Sequence, residues 1–189
     1  RLTGDCNSSY AKGFDQVLAF GHYGQDTTVF LDSTGDDHFI AGTNFSSMSG
    51  DGYANAAFGF PDTTAYAGAG NDKAILRGTP GDDHFIGKST WARLTSDVHS
   101  HYVKGFDSVQ ADGGSDGYDT AMLYDSTGDD TFEAAPLEAK FFGDTFSNYV
   151  QRFEQVKAYT GAVATPRYSP AQKPTKRVPA LTVEDLPDK

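Results

Sequence analysis

The 189-residue chain has one cysteine, Cys6, and two methionines. A single cysteine excludes an intramolecular disulfide, so packing and hydrogen bonding must hold the fold together. No apolar run approaches the length of a membrane-spanning helix, which predicts that no segment crosses a membrane. The chain also lacks Gly-x-Ser-x-Gly, His-Glu-x-x-His and phosphate-loop motifs, which are signatures of several large enzyme classes.

Basic residues are scarce. The chain carries 15 lysines and arginines against 26 acidic residues, a formal charge of −11. Residues 1–158 hold 10 of the basic and 23 of the acidic residues. This acidic body lacks the basic face that nucleic-acid binding needs, and it suits solubility or divalent cations. We therefore expect no nucleic-acid partner.

The chain is rich in repeats. Residues 29–40, 75–86 and 122–133 contain the variants DSTGDDHF, RGTPGDDHF and DSTGDDTF of one motif. Their central glycines, Gly35, Gly81 and Gly128, are 46 and 47 residues apart. The preceding segments, at 10–15, 56–61, 102–107 and 149–154, follow the same interval. Such a period indicates stacked supersecondary units rather than one closed globule.

A shorter period runs inside each copy. Gly-x-Asp or a close variant recurs about every 11 residues, and short β-prone runs with period-2 alternation lie between these turns. The pattern predicts an all-β fold, a parallel β-solenoid of about six to seven coils with two coils per repeat. We place the solenoid at 1–159, with repeats at 10–55, 56–101 and 102–148, and an extended Pro-rich tail at 160–189.

The full Gly-x-Gly-x-Asp-x-apolar motif at 68–74 resembles the haemolysin-type (RTX) calcium-binding repeat. The longer pattern over about residues 1–160 resembles the repeat arrays of bacterial, planctomycete-like, secreted or surface proteins. The RTX resemblance implies a β-roll in which aspartates of stacked turns bind Ca²⁺. No other cofactor is expected.

The turn aspartates have two possible roles. They can cap the turns through backbone hydrogen bonds, or they can bind Ca²⁺, which prefers oxygen ligands. The residues predicted to bind the ion are Asp37, Asp72, Asp83, Asp119 and Asp130.

Other candidate residues follow the repeat or interrupt it. The phenylalanines of equivalent positions are expected to form two buried, stacked ladders, Phe39/Phe85/Phe132 and Phe14/Phe60/Phe106/Phe153. We interpret the histidines as surface residues, with a metal site at His99 and His101 as the alternative. The one dense set that could serve an enzyme comprises Arg93, Asp97, His99 and His101.

The sequence favours a non-catalytic structural or interaction module. It would be a segment of an extracellular or surface repeat protein, or an accessory subunit. The alternatives are a carbohydrate-active β-helix, which would make a polysaccharide a partner, and a Ca²⁺-dependent RTX-like folding module. Because the chain opens in mid-repeat, we expect processing from a longer precursor and an extracellular, cell-surface or periplasmic location in bacteria.

The tail predicts a protein partner. Five of the eight prolines lie in residues 159–189, and the turn motif is absent there. Such a segment has no core of its own, so it needs apolar anchors on another subunit or on the open end of the solenoid. The predicted anchors are Tyr168, Val178, Leu181, Val183 and Leu186.

Overall fold

The computed structural model describes residues 2–3, 8–22, 24–160, 165–168 and 180–185, with side chains described for 9–22 and 24–160. This part of the chain is all-β and contains no helix. It forms a parallel β-solenoid of about four turns, which confirms the predicted fold class. Nowhere in these ranges is there a helix with the length and apolarity to cross a membrane.

Twenty strands form two ten-stranded sheets. In chain order they are β1 (Leu2–Thr3), β2 (Ser8–Ser9), β3 (Gln16–Phe20), β4 (Thr27–Leu31), β5 (His38–Gly42), β6 (Phe45–Gly50), β7 (Tyr53–Phe58), β8 (Asp62–Tyr66), β9 (Lys73–Arg77), β10 (His84–Gly87), β11 (Trp91–Thr95), β12 (Ser100–Lys104), β13 (Ser108–Asp112), β14 (Thr120–Tyr124), β15 (Thr131–Ala135), β16 (Glu138–Phe142), β17 (Ser147–Gln151), β18 (Gln155–Thr160), β19 (Thr165–Tyr168) and β20 (Ala180–Asp185).

The two sheets face each other across the core. Sheet A has the order β2-β1-β4-β8-β12-β11-β10-β14-β18-β20, and sheet B has the order β19-β15-β16-β17-β13-β9-β5-β6-β7-β3. Most strands alternate buried and more exposed residues, as in β8, β12 and β14. This period of two directs every second side chain into the space between the sheets. The buried positions hold mostly Ala, Leu, Val and Phe.

Three antiparallel meanders interrupt the parallel winding. They are β5–β7, β10–β12 and β15–β17. The first strand of each meander lies three positions further along its sheet than the strand of the preceding coil. The next two strands lie progressively closer to that coil, and the last one pairs with it in parallel. The predicted count of six to seven coils, two per repeat, is therefore not confirmed.

Because of the meanders, the 46- or 47-residue period of the sequence differs from the interval between residues that pair in neighbouring coils. Each repeat contributes one meander and two single strands, hence three passes between the sheets. Because three is odd, equivalent segments of successive repeats lie in opposite sheets: β5 is in sheet B, β10 in sheet A and β15 in sheet B. Residues that pair in neighbouring coils are instead about 35 apart, as in His38↔Lys73 and Lys73↔Ser108.

This alternation corrects the predicted phenylalanine ladders. Phe39, Phe85 and Phe132 are buried, but they do not stack on one another because Phe85 belongs to the opposite sheet. The ring of Phe39 contacts Phe106, with centroids 6.1 Å apart, and Phe85 contacts Phe153 at 6.3 Å. Each of these contacts therefore joins a ring of one predicted ladder to a ring of the other.

The prediction that Phe14 is a buried member of the second ladder is wrong. Phe60, Phe106 and Phe153 are buried, whereas the side chain of Phe14 is 64% exposed. Phe14 precedes β3, the last strand of sheet B, where only one neighbouring strand offers packing.

One turn position requires a left-handed backbone in every copy. Gly13, Gly59 and Gly105 have φ of 76°, 75° and 87°, and their equivalent Arg152 has φ of 61°. Arg152 is the only non-glycine with positive φ in the described ranges, and such a conformation costs a side-chain residue free energy. Its guanidinium forms a two-point ion pair with Asp112, with Nε 2.6 Å from Oδ1, which offsets part of that cost.

Two strands of the tail extend the sheets. The backbone of β19 pairs in parallel with β15, and that of β20 pairs with β18, so each sheet gains one strand at the same end. The side chains of Tyr168, Leu181 and Val183, together with Val178 and Leu186, lie outside the described part. Their predicted role as partner anchors stays a prediction.

Truncating a core ring tests this packing. We expect Phe85→Ala to lower the free energy of unfolding by about 3–5 kcal/mol, because it removes a fully buried ring between the sheets. Urea denaturation measures the change, and Phe14→Ala is the control at an exposed ring. Equal losses in the two variants would contradict the described core.

Candidate functional site

The second aspartate of each Gly-Asp-Asp turn closes its own turn. The carboxylate of Asp37 accepts hydrogen bonds from the N–H and hydroxyl of Ser33, each at 2.9 Å. Thr79 donates to Asp83 in the same way, and Ser126 to Asp130. Turn capping, one of the two predicted roles, therefore accounts for part of the bonding of these carboxylates.

Acids of neighbouring coils are linked through the backbone. The N–H of Asp37 donates to Asp72 Oδ1, and the N–H of Asp72 donates to Asp107 Oδ2, both at 2.8 Å. These three residues line the edge where the chain passes from sheet A to sheet B. We call them the first carboxylate ladder.

The opposite edge carries an equivalent set. The N–H of Asp83 donates to Asp119 Oδ1, and the N–H of Asp119 donates to Glu154 Oε2, both at 2.8 Å. This second carboxylate ladder is the first one shifted by 46 or 47 residues. The two ladders lie on opposite edges because each repeat exchanges the sheets.

One point on the first ladder gathers three carboxylates. Oxygens of Asp32, Asp37 and Asp72 lie within 4.8 Å of one another. Asp37 and Asp72 are buried, and Asp72 Oδ2 has no hydrogen-bond partner among the residues that the structure describes. Asp37 Oδ1 accepts from the Tyr53 hydroxyl at 2.6 Å, and Asp32 Oδ2 accepts from the N–H of Gly68 at 2.5 Å. An oxygen-only set with an unpartnered buried oxygen fits Ca²⁺.

This cluster forms only once in the described chain. Gly78 occupies the position equivalent to Asp32 in the second copy, so no carboxylate takes the place of Asp32 beside Asp83 and Asp119. Asp130 caps its own turn in the third copy. Of the five residues predicted to bind Ca²⁺, the three-carboxylate cluster contains Asp37 and Asp72, and the sequence prediction left out its third member, Asp32.

Burial and mutual repulsion destabilise the ionised form of the ladder carboxylates. Desolvation raises the pKa of Asp72, and the carboxylates of Asp32, Asp37 and Asp107 add to this, against the hydrogen bond from the Asp37 N–H. Desolvation likewise raises the pKa of Asp119 to about 7, with added repulsion from Asp83 and Glu154. A bound cation would relieve this repulsion.

His99 and His101 are buried, which corrects their interpretation as surface residues. Their rings stack with centroids 4.4 Å apart, and among the described residues none of the four ring nitrogens has a hydrogen-bond partner. Desolvation lowers the pKa of both, that of His101 to about 3. Opposing charge from Asp83 raises the pKa of His99 in part.

The pair replaces different residues in the other copies. His99 is equivalent to Tyr53, and His101 to Asn55. Gly50, close to Tyr53, is equivalent to Ser96; a Cβ added at Gly50 would lie 2.7 Å from the Tyr53 ring. In the second copy, Ser96 has a side chain where Gly50 has none, and the smaller imidazole of His99 leaves room for it. Asp83 Oδ1, equivalent to the Tyr53-bonded oxygen of Asp37, has no partner.

The candidate enzyme set is not assembled. Arg93 lies on the outer face of sheet A and donates to Ser100 Oγ, while His99 and His101 point into the core. Asp97 is exposed in the loop between β11 and β12. These side chains do not converge on one groove.

The outer face of sheet A carries an aromatic row whose alignment is not visible in the sequence. Strand pairing aligns Leu31 with Tyr66, Tyr66 with Lys104 and Lys104 with Trp91. The row continues across the hairpin from Trp91 to Lys88, then to Tyr124 and Tyr159, whose rings stack at 4.7 Å. We call these seven residues the aromatic row. Only the strand order brings them together.

A pH series tests the buried histidines. The triple variant Ser96→Gly/His99→Tyr/His101→Asn carries the residues of the first copy. Unfolded histidines have a pKa of about 6.5, so from there down to about pH 3 the unfolded chain binds more protons and the wild type loses stability. We expect the variant to gain about 2 kcal/mol on the wild type between pH 8 and pH 5.

Urea denaturation at each pH gives the comparison, and the difference at pH 8 reports the changes in packing and hydrogen bonding with the histidines neutral. A stability difference that is constant over this range would contradict burial of neutral imidazoles.

A second pH series tests the second ladder. In Asp119→Asn the amide oxygen still accepts from the Asp83 N–H, but the charge is gone. Because the folded pKa of about 7 is above the unfolded value, wild-type stability is fully present below about pH 4 and declines as pH rises through 7. In EDTA, we expect the variant to gain on the order of 3 kcal/mol relative to wild type from pH 4 to pH 8. If Asp119→Asn were already more stable than the wild type by this amount at pH 4, the charge of Asp119 would not be the cause.

Comparison with known proteins gives no relative: no family model, curated protein or solved structure matches this chain. Its function therefore rests on the geometry of the two ladders, the three-carboxylate cluster and the outer face of sheet A.

Proposed function

We propose that the chain is a non-catalytic structural and interaction module. It would be a segment of a bacterial extracellular or cell-surface repeat protein, or an accessory subunit of a larger assembly. The observation that carries this proposal is the bonding of the repeated acids. The carboxylates of both ladders accept backbone N–H groups 35 or 36 residues away, which is a structural use of the residues that a glycoside hydrolase would need for chemistry.

The same acids are compatible with the extracellular or cell-surface location that we propose. An array held by carboxylate-to-backbone bonds needs no disulfide, in agreement with the single cysteine. Extracellular calcium-binding modules work at dissociation constants of about 10⁻⁴–10⁻³ M, so a site with few ligands is useful where the ion is abundant. A partner protein at residues 160–189 remains part of the proposal.

In this proposal, Asp32, Asp37 and Asp72 hold one Ca²⁺ ion that stabilises the first repeat. Three carboxylates in a small space repel one another, and Asp72 Oδ2 lacks a donor. A divalent cation would supply the missing partner and neutralise the repulsion. The ion would then act on folding, as the RTX resemblance implies, and not on a substrate.

Calcium titration tests the proposal. We expect the melting temperature of the wild type to rise with CaCl₂ and fall with EDTA, because only the folded chain gathers the three carboxylates. Asp72→Asn keeps an acceptor for the Asp37 N–H but removes one charge, and it should lose most of this response.

Asp119→Asn is the matched control. Asp119 is the equivalent of Asp72 in the second copy, where Gly78 stands in place of Asp32, so this variant should keep the full calcium response. A wild-type melting temperature that ignores both CaCl₂ and EDTA would remove the ion from the proposal. Release of sugar products from polysaccharides would overturn its non-catalytic part.

A further inference from the structure

The aromatic row points to a ligand. We propose that the outer face of sheet A binds an extended anionic polysaccharide, with the chain of sugars lying across the strands. The acid groups of the glycan would recur on about every second sugar. This binding role is additional to the structural role of the ladders and does not depend on calcium.

The spacing of the row suits such a ligand. Neighbouring strands are about 4.8 Å apart, a step comparable to one pyranose ring of an extended glycan. Tyr66, Trp91 and Tyr124 are two strands apart, so their rings recur about every 10 Å along the row. Rigid aromatic rings offer apolar contact area with little loss of side-chain entropy, and every second sugar could contact one.

Lysines occupy the intervening positions. Lys104 lies between Tyr66 and Trp91. Lys88 lies between Trp91 and Tyr124, with Nζ 5.2 Å and 4.9 Å from the two ring centroids. From Tyr66 to Tyr124 the row thus alternates an aromatic ring with a positive charge, as a glycan bearing one carboxylate per disaccharide would require.

The charge of this face is opposite to that of the chain. In the seven strands of sheet A with described side chains, and Lys88, the outward positions hold four cations, Lys88, Arg93, Lys104 and Lys157, and one acid, Asp62. The outward positions of sheet B, over its nine strands with described side chains, hold three cations and three acids. A local positive face on a chain of −11 is charge complementarity toward an anion.

The neighbouring rows extend the same surface. One row aligns Val29, Thr64, Tyr102, Arg93, Ile86, Met122 and Lys157. Trp91 and Tyr102 are in ring contact at 5.8 Å, which widens the stacking surface. The third row is polar and includes Ser100, His84 and Thr120, whose groups can hydrogen-bond sugar hydroxyls.

A glycan fits this face better than a nucleic acid. A single-stranded nucleic acid carries a phosphate on every residue and is usually bound in a strongly basic groove. The aromatic row carries two cations, Lys104 and Lys88, over seven strands, and acidic edges border it on both sides. Sparse charges on a rigid sugar chain match this arrangement.

Affinity electrophoresis and calorimetry with defined probes test the proposal. The probes are hyaluronate, with a carboxylate on alternate sugars, polygalacturonate, with one on every sugar, neutral dextran and oligodeoxythymidylate. We expect salt-sensitive binding of the wild type to hyaluronate. Trp91→Ala and, separately, Lys88→Gln/Lys104→Gln should each weaken it about tenfold or more, the loss expected for a stacking or charge contact.

Lys140→Gln is the matched control, since Lys140 Nζ lies 4.3 Å from the Phe142 ring on sheet B, away from the row. It should bind as the wild type does. No binding to either anionic glycan, equal binding to dextran, tighter binding to oligodeoxythymidylate, or unchanged binding in both row variants would each overturn the proposal. Product release from polygalacturonate would contradict the non-catalytic role instead and leave the binding face intact.

Discussion

The rest of the structure depends on one hydrogen bond, from the backbone N–H of an acid at a corner to the carboxylate of an acid one coil away. A corner N–H cannot join a sheet ladder, and burial without a partner costs about 1–3 kcal/mol. A charged acceptor meets that need with a stronger bond than a neutral one. Because the bond spans 35 or 36 residues, it also fixes which coil lies on which.

The same bond explains why so acidic a chain folds compactly. Each ladder concentrates like charges along one edge, and burial makes them costly, as the pKa of about 7 for Asp119 records. Backbone dipoles oppose the cost at every rung. A third carboxylate, Asp32, lies beside the first ladder, and Asp72 Oδ2 has no donor among the described residues. The excess of acceptors over donors at that point is the physical reason to look for a cation there.

The sequence predicted local structure well and long-range order less well. The Gly-x-Asp turns, the short strands and burial of Phe39, Phe85 and Phe132 follow from period-2 alternation and turn chemistry, which are local. The exchange of sheets between successive repeats does not follow from these local signals. It depends on whether each strand turns back within its own sheet or crosses to the other sheet. The spacing of Asp37, Asp72 and Asp107 did contain the true stacking interval. The aromatic row was hidden, since its members are neighbours only through strand pairing.

The exchange of sheets also decides where a binding face can arise. In a solenoid whose repeats all stacked in one register, a substitution in one repeat would leave identical faces above and below it. Here the meander of the second repeat, β10–β12, lies in sheet A, while those of the first and third lie in sheet B. Trp91, Arg93 and Lys104 therefore come from one meander, and the strands beside it, β8 and β14, come from segments that are not equivalent to it. A change in one copy can thus alter the outer face of one sheet while both carboxylate ladders keep their bonds. Stability and recognition are carried by different residues of the same repeat, the corner acids and the outward positions of the strands.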